Sequence, residues 1–231
     1  MSSTISRSFR LWGSTVGKKI VMALSGIVLI AFVLGHMLGN LKVYQGRESF
    51  NHYAEGLRTF GAPFLGYGQA LWLVRIVLLG AVLVHILAAA QLTLRSRKAR
   101  TVAYRRYDGD MVFSYASRTM VWGGIVILAF VIYHLMHLTF GNAHPRFVPG
   151  DAYHNFVLGF QSWPVSLAYI AAMIPLGFHL YHGFWSMLQT LGAERHWFGR
   201  WRRRSAGALA LVIVAGNVSF PLAVLAGVVQ L

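Results

Sequence analysis

The chain contains no cysteine, and only 6 of its 231 residues are Asp or Glu. Without thiols it can form no disulfide and can hold no cysteine-ligated iron–sulfur cluster of its own. Charged residues amount to 12% against 56% hydrophobic, too apolar a balance for an ordinary soluble globule. All six acids (Glu48, Glu55, Asp108, Asp110, Asp151 and Glu194) fall outside the long apolar stretches. No carboxylate is therefore expected to relay protons through an apolar interior, and any protons needed would come from loop groups such as Glu48, Glu55 or His52 at one side, or from water near Asp108 and Asp110 at the other.

What is present is five apolar stretches, at 19–41, 69–94, 119–140, 163–188 and 206–231. Each approaches or exceeds the roughly 20 residues needed to cross a hydrocarbon core about 30 Å thick. Lipid offers no partner for open backbone, so each is expected to be a helix. The fold class predicted is all-α integral membrane, five transmembrane helices in a single domain over 1–231, the first four forming a cofactor-binding bundle. Residues 1–18 are polar and basic and the first apolar run is long enough to span, so no cleavable signal peptide is expected.

The positive charge is unevenly distributed. Of 21 Lys and Arg, 16 fall in the N-terminal tail and in segments 95–118 and 194–204, 4 in the alternate loops, and Arg75 lies within the second stretch. Such a bias predicts a cytoplasmic N-terminus and an outside C-terminus in the cell's inner membrane. A net charge of +15 raises the thought of nucleic acid. The arginines flank spans, however, where they anchor topology and meet anionic lipid headgroups, so no nucleic acid partner is expected.

The loops divide into two kinds. Segment 47–61 repeats Phe50, Tyr53, Leu57 and Phe60 at helical spacing and predicts a short interfacial helix. Segment 141–162, with Pro145, Pro149 and Asp151, reads as a turn-rich cap.

Four stretches carry a histidine 16 or 17 residues past their start: His36, His85, His134 and His179. Consecutive spans run in opposite directions. At 1.5 Å per residue, His36 and His134 therefore share a depth about 25 Å from one face, and His85 with His179 another about 24 Å from the opposite face. Two imidazoles from different helices at one depth can fill both axial positions of a haem iron, which suits electron transfer rather than oxygen activation. The residues around them are small, as a flat ring requires: Gly35 and Gly39 near His36, Ala81, Ala88 and Ala89 near His85, and Gly183 near His179.

A lone histidine in an apolar helix can simply hydrogen-bond a neighbouring helix, but four at paired depths point to a purpose, because burying polar groups is costly. Spacing alone leaves His137 and His182, each one turn from a candidate ligand, as alternatives or as contacts to a propionate or a quinone. His52, His144, His154 and His196 fall in loops and read as solvated. Arg75, expensive in a span without an anion, is expected either to meet a haem propionate or to reach the headgroups. Ser114, Ser117 and Arg118 are candidates for propionates or a quinone carbonyl at the other end.

At these residues the sequence resembles a known family. The runs GKKIVMALSG, LGHMLGNL, VHILAAAQL, YASRTMVWGG, YHLMHLTFG and FHLYHGFWSMLQTLG, in that order over nearly the whole chain, are similar to the cytochrome b membrane anchor of succinate dehydrogenases and fumarate reductases. The likeness is to the variety with one five-helix polypeptide and two haems b. It implies ligation by His36 with His134 and by His85 with His179, and favours His134 over His137 and His179 over His182. It also implies flavoprotein and iron–sulfur subunits docked on the cytoplasmic side, quinone as the membrane substrate, no activity on succinate by this chain alone, and assembly of the whole complex into an oligomer as an open option. Some members carry a glutamate in the helix of the fourth ligand, whereas 173–183 holds none here. Two other readings remain at this point: the dihaem anchor of a nitrate reductase, formate dehydrogenase or hydrogenase, and a haem-free transporter.

Overall fold

The computed structural model describes residues 12–99, 111–144, 146–192 and 198–231, and no strand occurs among them. Helix α1 (Thr15–Asn40) starts at Ser14, whose Oγ accepts the N–H of Gly17 at 2.9 Å and so satisfies one of the free amides of the first turn. A 3-10 turn, Leu41–Gln45, follows and ends at Gly46, whose φ of 89° favours glycine. Next come α2 (Arg47–Thr59), α3 (Gln69–Ala99) and α4 (Met111–His134), the last running into a π-helical turn at Leu135–Thr139. The chain closes with α5 (Ala152–Gln161), α6 (Trp163–Thr190) and α7 (Phe198–Leu225).

Five of these helices (α1, α3, α4, α6 and α7) are long and apolar enough to cross a membrane, so the protein is an all-α, multi-pass membrane protein. The short helices α2 and α5 lie together at one end of the bundle, here called the capped end. The opposite end carries most of the Lys and Arg and is called the basic end.

Two parts of the sequence reading need correction. Segment 141–162 is more than a turn-rich cap, because its second half forms α5. Asp151 caps that helix by accepting the N–H of His154 at 3.0 Å, and the aromatic rings of Tyr153, Phe156 and Phe160 are buried among Phe50, Tyr169 and Phe220. The fifth span is also displaced from 206–231: its helix begins at Phe198 and ends at Leu225. After Leu225 the chain turns at Gly227 (φ 72°), buries Val229 and offers the carbonyl of Gln230 to the hydroxyl of Tyr153 at 2.7 Å. Helix α7 packs closely into the bundle: Ile213 is fully buried, and a Cβ on Gly216 would come within 2.5 Å of Met37 Sδ on α1.

Helix α6 is the hub, packed against α7, α4 and α1, while α3 packs mainly on α1. The pairs α1 with α4 and α3 with α6 are absent from the close packings. These are the pairs that carry the paired histidines, so the side chains of each pair must reach toward one another between helices whose backbones are not closely packed.

Candidate functional site

Both predicted pairs come together. The rings of His36 and His134 lie 5.8 Å apart between centroids, with planes at 87°, and those of His85 and His179 lie 6.2 Å apart at 55°. A metal–nitrogen bond of about 2 Å on either side of one ion would set two ring centres roughly 6 Å apart. Among the described residues no group of three or more His, Cys, Asp or Glu side chains is placed to hold a metal ion. A donor set of two imidazoles suits an ion that brings its remaining ligands in its own planar ring, as haem iron does.

At the basic-end pair, Ser25 of α1 stands 3.1 Å from His85 Nδ1. Its hydroxyl lies within reach of the carbonyls of Val21 (2.9 Å) and Met22 (3.1 Å), so its proton is donated there and its oxygen accepts from His85 Nδ1–H. The Nε2 lone pair of His85 is thereby kept free for a metal. Glycines from neighbouring helices lie against both rings: a Cβ on Gly26 would meet His85 Cε1 at 3.6 Å, and one on Gly124 would meet His179 Cε1 at 3.9 Å. His179 Nδ1 is buried without a hydrogen-bond partner among the described residues.

At the capped-end pair, Tyr169 Oη lies 3.3 Å from His134 Nδ1 and 2.9 Å from His137 Nδ1. His36 stacks on Phe32 at 5.3 Å. The fit is incomplete at one atom, since His36 Nε2 sits 3.2 Å from Asn40 Nδ2. One lone pair cannot accept that hydrogen bond and bind iron together, so ligation through Nε2 requires the Asn40 amide to turn away.

The alternatives one turn away take other partners. His137, 1% exposed, stacks on His144 at 5.0 Å and on Tyr133 at 5.6 Å. His182 lies 6.5 Å from the ring of Trp185. Gly35 and Gly183 face open space, as a flat ring would need, but Gly39 does not: the ring of Tyr53 on α2 lies directly over it, so that glycine serves the α1–α2 contact.

The chain matches no family model, no curated protein and no solved structure.

Arg75 is exposed, with its guanidinium 4.9 Å from the Trp72 ring and no carboxylate partner among the described residues. Ser117 and Arg118 are exposed near the start of α4, and Asp108, Asp110, Glu194 and His196 lie outside the described residues. A basic-end residue that sequence reading passed over is Arg202 of α7. Its Nε and Nη1 are buried without hydrogen-bond partners among the described residues, beside Trp185 at 5.9 Å, which makes it a ready seat for an anion.

The capped end also holds a cavity of about 360 Å³, lined by His137, His144, Arg146, Gly159, Gln161 and Val165 among others. At the same end, Asp151 ties α5 to α2. It accepts from Asn51 Nδ2 at 2.9 Å and pairs with Arg47, while Asn51 Oδ1 accepts the N–H of Tyr153 at 2.9 Å. Burial would raise the carboxyl's pKa, but hydrogen bonds from Asn51, His154 N–H and Arg47 together outweigh it and hold Asp151 below its ordinary value of 3.8. His144, read from sequence as solvated, is 5% exposed, with Nε2–H donated to the carbonyl of Asn155 at 3.0 Å.

Proposed function

We propose that the chain is the dihaem cytochrome b membrane anchor of a succinate:quinone oxidoreductase, serving a succinate dehydrogenase or fumarate reductase complex. The observation that carries the reading is the ring-to-ring approach of His36 to His134 and of His85 to His179, one pair toward each end of a five-span bundle. When bound, each haem b would carry one electron at a time. His85 and His179 would hold one, His36 and His134 the other. Ser25 and Tyr169 would orient one ligand of each pair, and Arg202 would offer a charged seat to an anionic haem edge at the basic end.

The basic end would be cytoplasmic, with the chain in the inner membrane, and would dock a flavoprotein and an iron–sulfur protein; the chain alone would not act on succinate. The capped-end cavity would take the quinone headgroup. It is polar on the His137, Arg146 and Gln161 side and apolar at Leu158 and Val165, the mixture a quinone carries.

Purification of the intact complex tests the assignment. Succinate-reducible haem together with a flavoprotein and an iron–sulfur protein would support it. A molybdenum- or nickel-containing partner would move the chain to another quinone-linked oxidoreductase, and a chain with no haem would sink the cytochrome reading.

A further inference from the structure

Between the capped-end histidine pair and the cavity runs a single chain of hydrogen bonds. Tyr169 Oη stands between His134 Nδ1 at 3.3 Å and His137 Nδ1 at 2.9 Å. The π-helical turn at Leu135–Thr139, which begins just after His134, carries His137 into reach of the same hydroxyl. His137 is clamped between the rings of Tyr133 and His144, at 4° and 22° to its own plane, so it has little freedom to rotate. Its Nε2 edge lies over Gly159, where an added Cβ would come within 3.0 Å of that nitrogen, and both residues form the cavity wall.

Counting protons gives the chain a direction. If His134 offers Nε2 to a metal, its one ring proton sits on Nδ1 and is donated to Tyr169 Oη. The only proton of that hydroxyl is then donated to His137 Nδ1. His137 in turn must carry its proton on Nε2, at the cavity wall, where that nitrogen has no hydrogen-bond partner among the described residues. The reverse order would place a proton on His134 Nε2 and forbid ligation. His144 cannot substitute as donor, because its Nε2–H is committed to the Asn155 carbonyl at 3.0 Å and its Nδ1 accepts the Arg146 amide at 3.3 Å.

We propose that Tyr169 is a positioning residue that couples the iron ligand His134 to the cavity, by making His137 Nε2–H a donor to one carbonyl oxygen of a bound quinone. The inference rests on the dihaem, quinone-binding reading above. It adds that occupancy of the cavity is felt at one haem and not the other. A carbonyl drawing on His137 Nε2–H polarises the Tyr169 hydrogen bond and, through it, the His134 imidazole.

The test is a potentiometric titration of the haem-loaded complex, with and without a heptyl-hydroxyquinoline N-oxide as quinone mimic, in wild type, Tyr169→Phe and His137→Asn. In the wild type the mimic should shift the potential of one haem only, by about 59 mV for a tenfold preference between its oxidised and reduced forms. Tyr169→Phe should bind the mimic within threefold of wild type and lose the shift. His137→Asn should keep two haems, lose the shift and bind the mimic at least tenfold more weakly. Should Tyr169→Phe lose a haem, His137→Asn decides alone by the same criterion. A full shift retained in either variant, or equal shifts at both haems, overturns the coupling while leaving the cytochrome reading in place. A wild type without haem, or one that does not bind the mimic, overturns the underlying reading and the coupling with it.

Discussion

An imidazole binds a metal only through the nitrogen its proton leaves vacant, so whatever holds the other nitrogen decides which histidines can serve. Ser25 does this for His85. Its replacement by Ala should leave the fold intact but loosen the basic-end haem, with a loss of about ten- to a hundredfold in haem affinity, the usual cost of removing such a partner. Haem retention during dialysis against apomyoglobin measures this, and unchanged retention would remove Ser25 from the account. The one-turn neighbours are separated in the same way. His134→Ala and His179→Ala should each lose one haem of two, whereas His137→Ala and His182→Ala should keep both, as read from the haem-to-protein ratio. That His36 lies beside His134 and His85 beside His179 was legible in the sequence because depth follows from residue count alone. Ser25, Tyr169 and Arg202 were not. A hydroxyl or guanidinium acquires its role from which face of a neighbouring helix it meets, and one chain's spacing carries no such information.

At the scale of elements, α2 and α5 form a polar-stapled cap over the capped-end pair. Helix α2 was foreseen from the spacing of Phe50, Tyr53 and Leu57. Helix α5 was obscured because Pro145 and Pro149 suggested turns throughout, although Asp151 followed by an apolar run is itself a helix-start signal. Gly39 illustrates a second limit. Small residues next to His36 suggested room for a flat ring, but Gly39 is occupied by the ring of Tyr53.

The Asp151 tie should depend on pH in a defined sense. Its folded pKa lies below the ordinary 3.8, so its stabilisation is complete above that value and is lost as pH falls through the lower folded value. Hydrogen exchange in α5 should therefore stay slow at neutral pH and accelerate only in strong acid, while Asp151→Asn should accelerate it already at pH 7. Acceleration that begins near neutrality in the wild type would contradict the assignment. Close contact with the cavity wall makes a further demand. Gly159→Ala would drive a Cβ to 2.7 Å from His137 Cε1, and the repacking should cost about 1–3 kcal/mol of stability and close part of the cavity.

The whole molecule is a five-span bundle whose hub, α6, touches α1, α4 and α7 while standing off from α3. Composition and apolar run length were enough to reveal the class and all five spans. Run length misjudged the ends: α3, α4 and α7 run on into the polar flanks at the basic end, and after Leu225 Gly227 turns a still apolar chain back on itself. The arrangement of charge predicts that cysteines introduced at the basic end react with a membrane-impermeant maleimide only from the cytoplasmic side, and that one placed at Arg47 reacts only from outside. The opposite labelling would invert the path proposed for electrons.

The central claim is that two histidine pairs, 5.8 Å and 6.2 Å between ring centres, each hold one haem. The most direct measurement is a reduced-minus-oxidised optical spectrum of the purified chain, combined with haem and protein quantitation. The account predicts two low-spin b-type haems per chain that titrate as two components and bind no carbon monoxide. A spectrum without reducible haem, a ratio of one or below, or carbon monoxide binding to the reduced protein would contradict it.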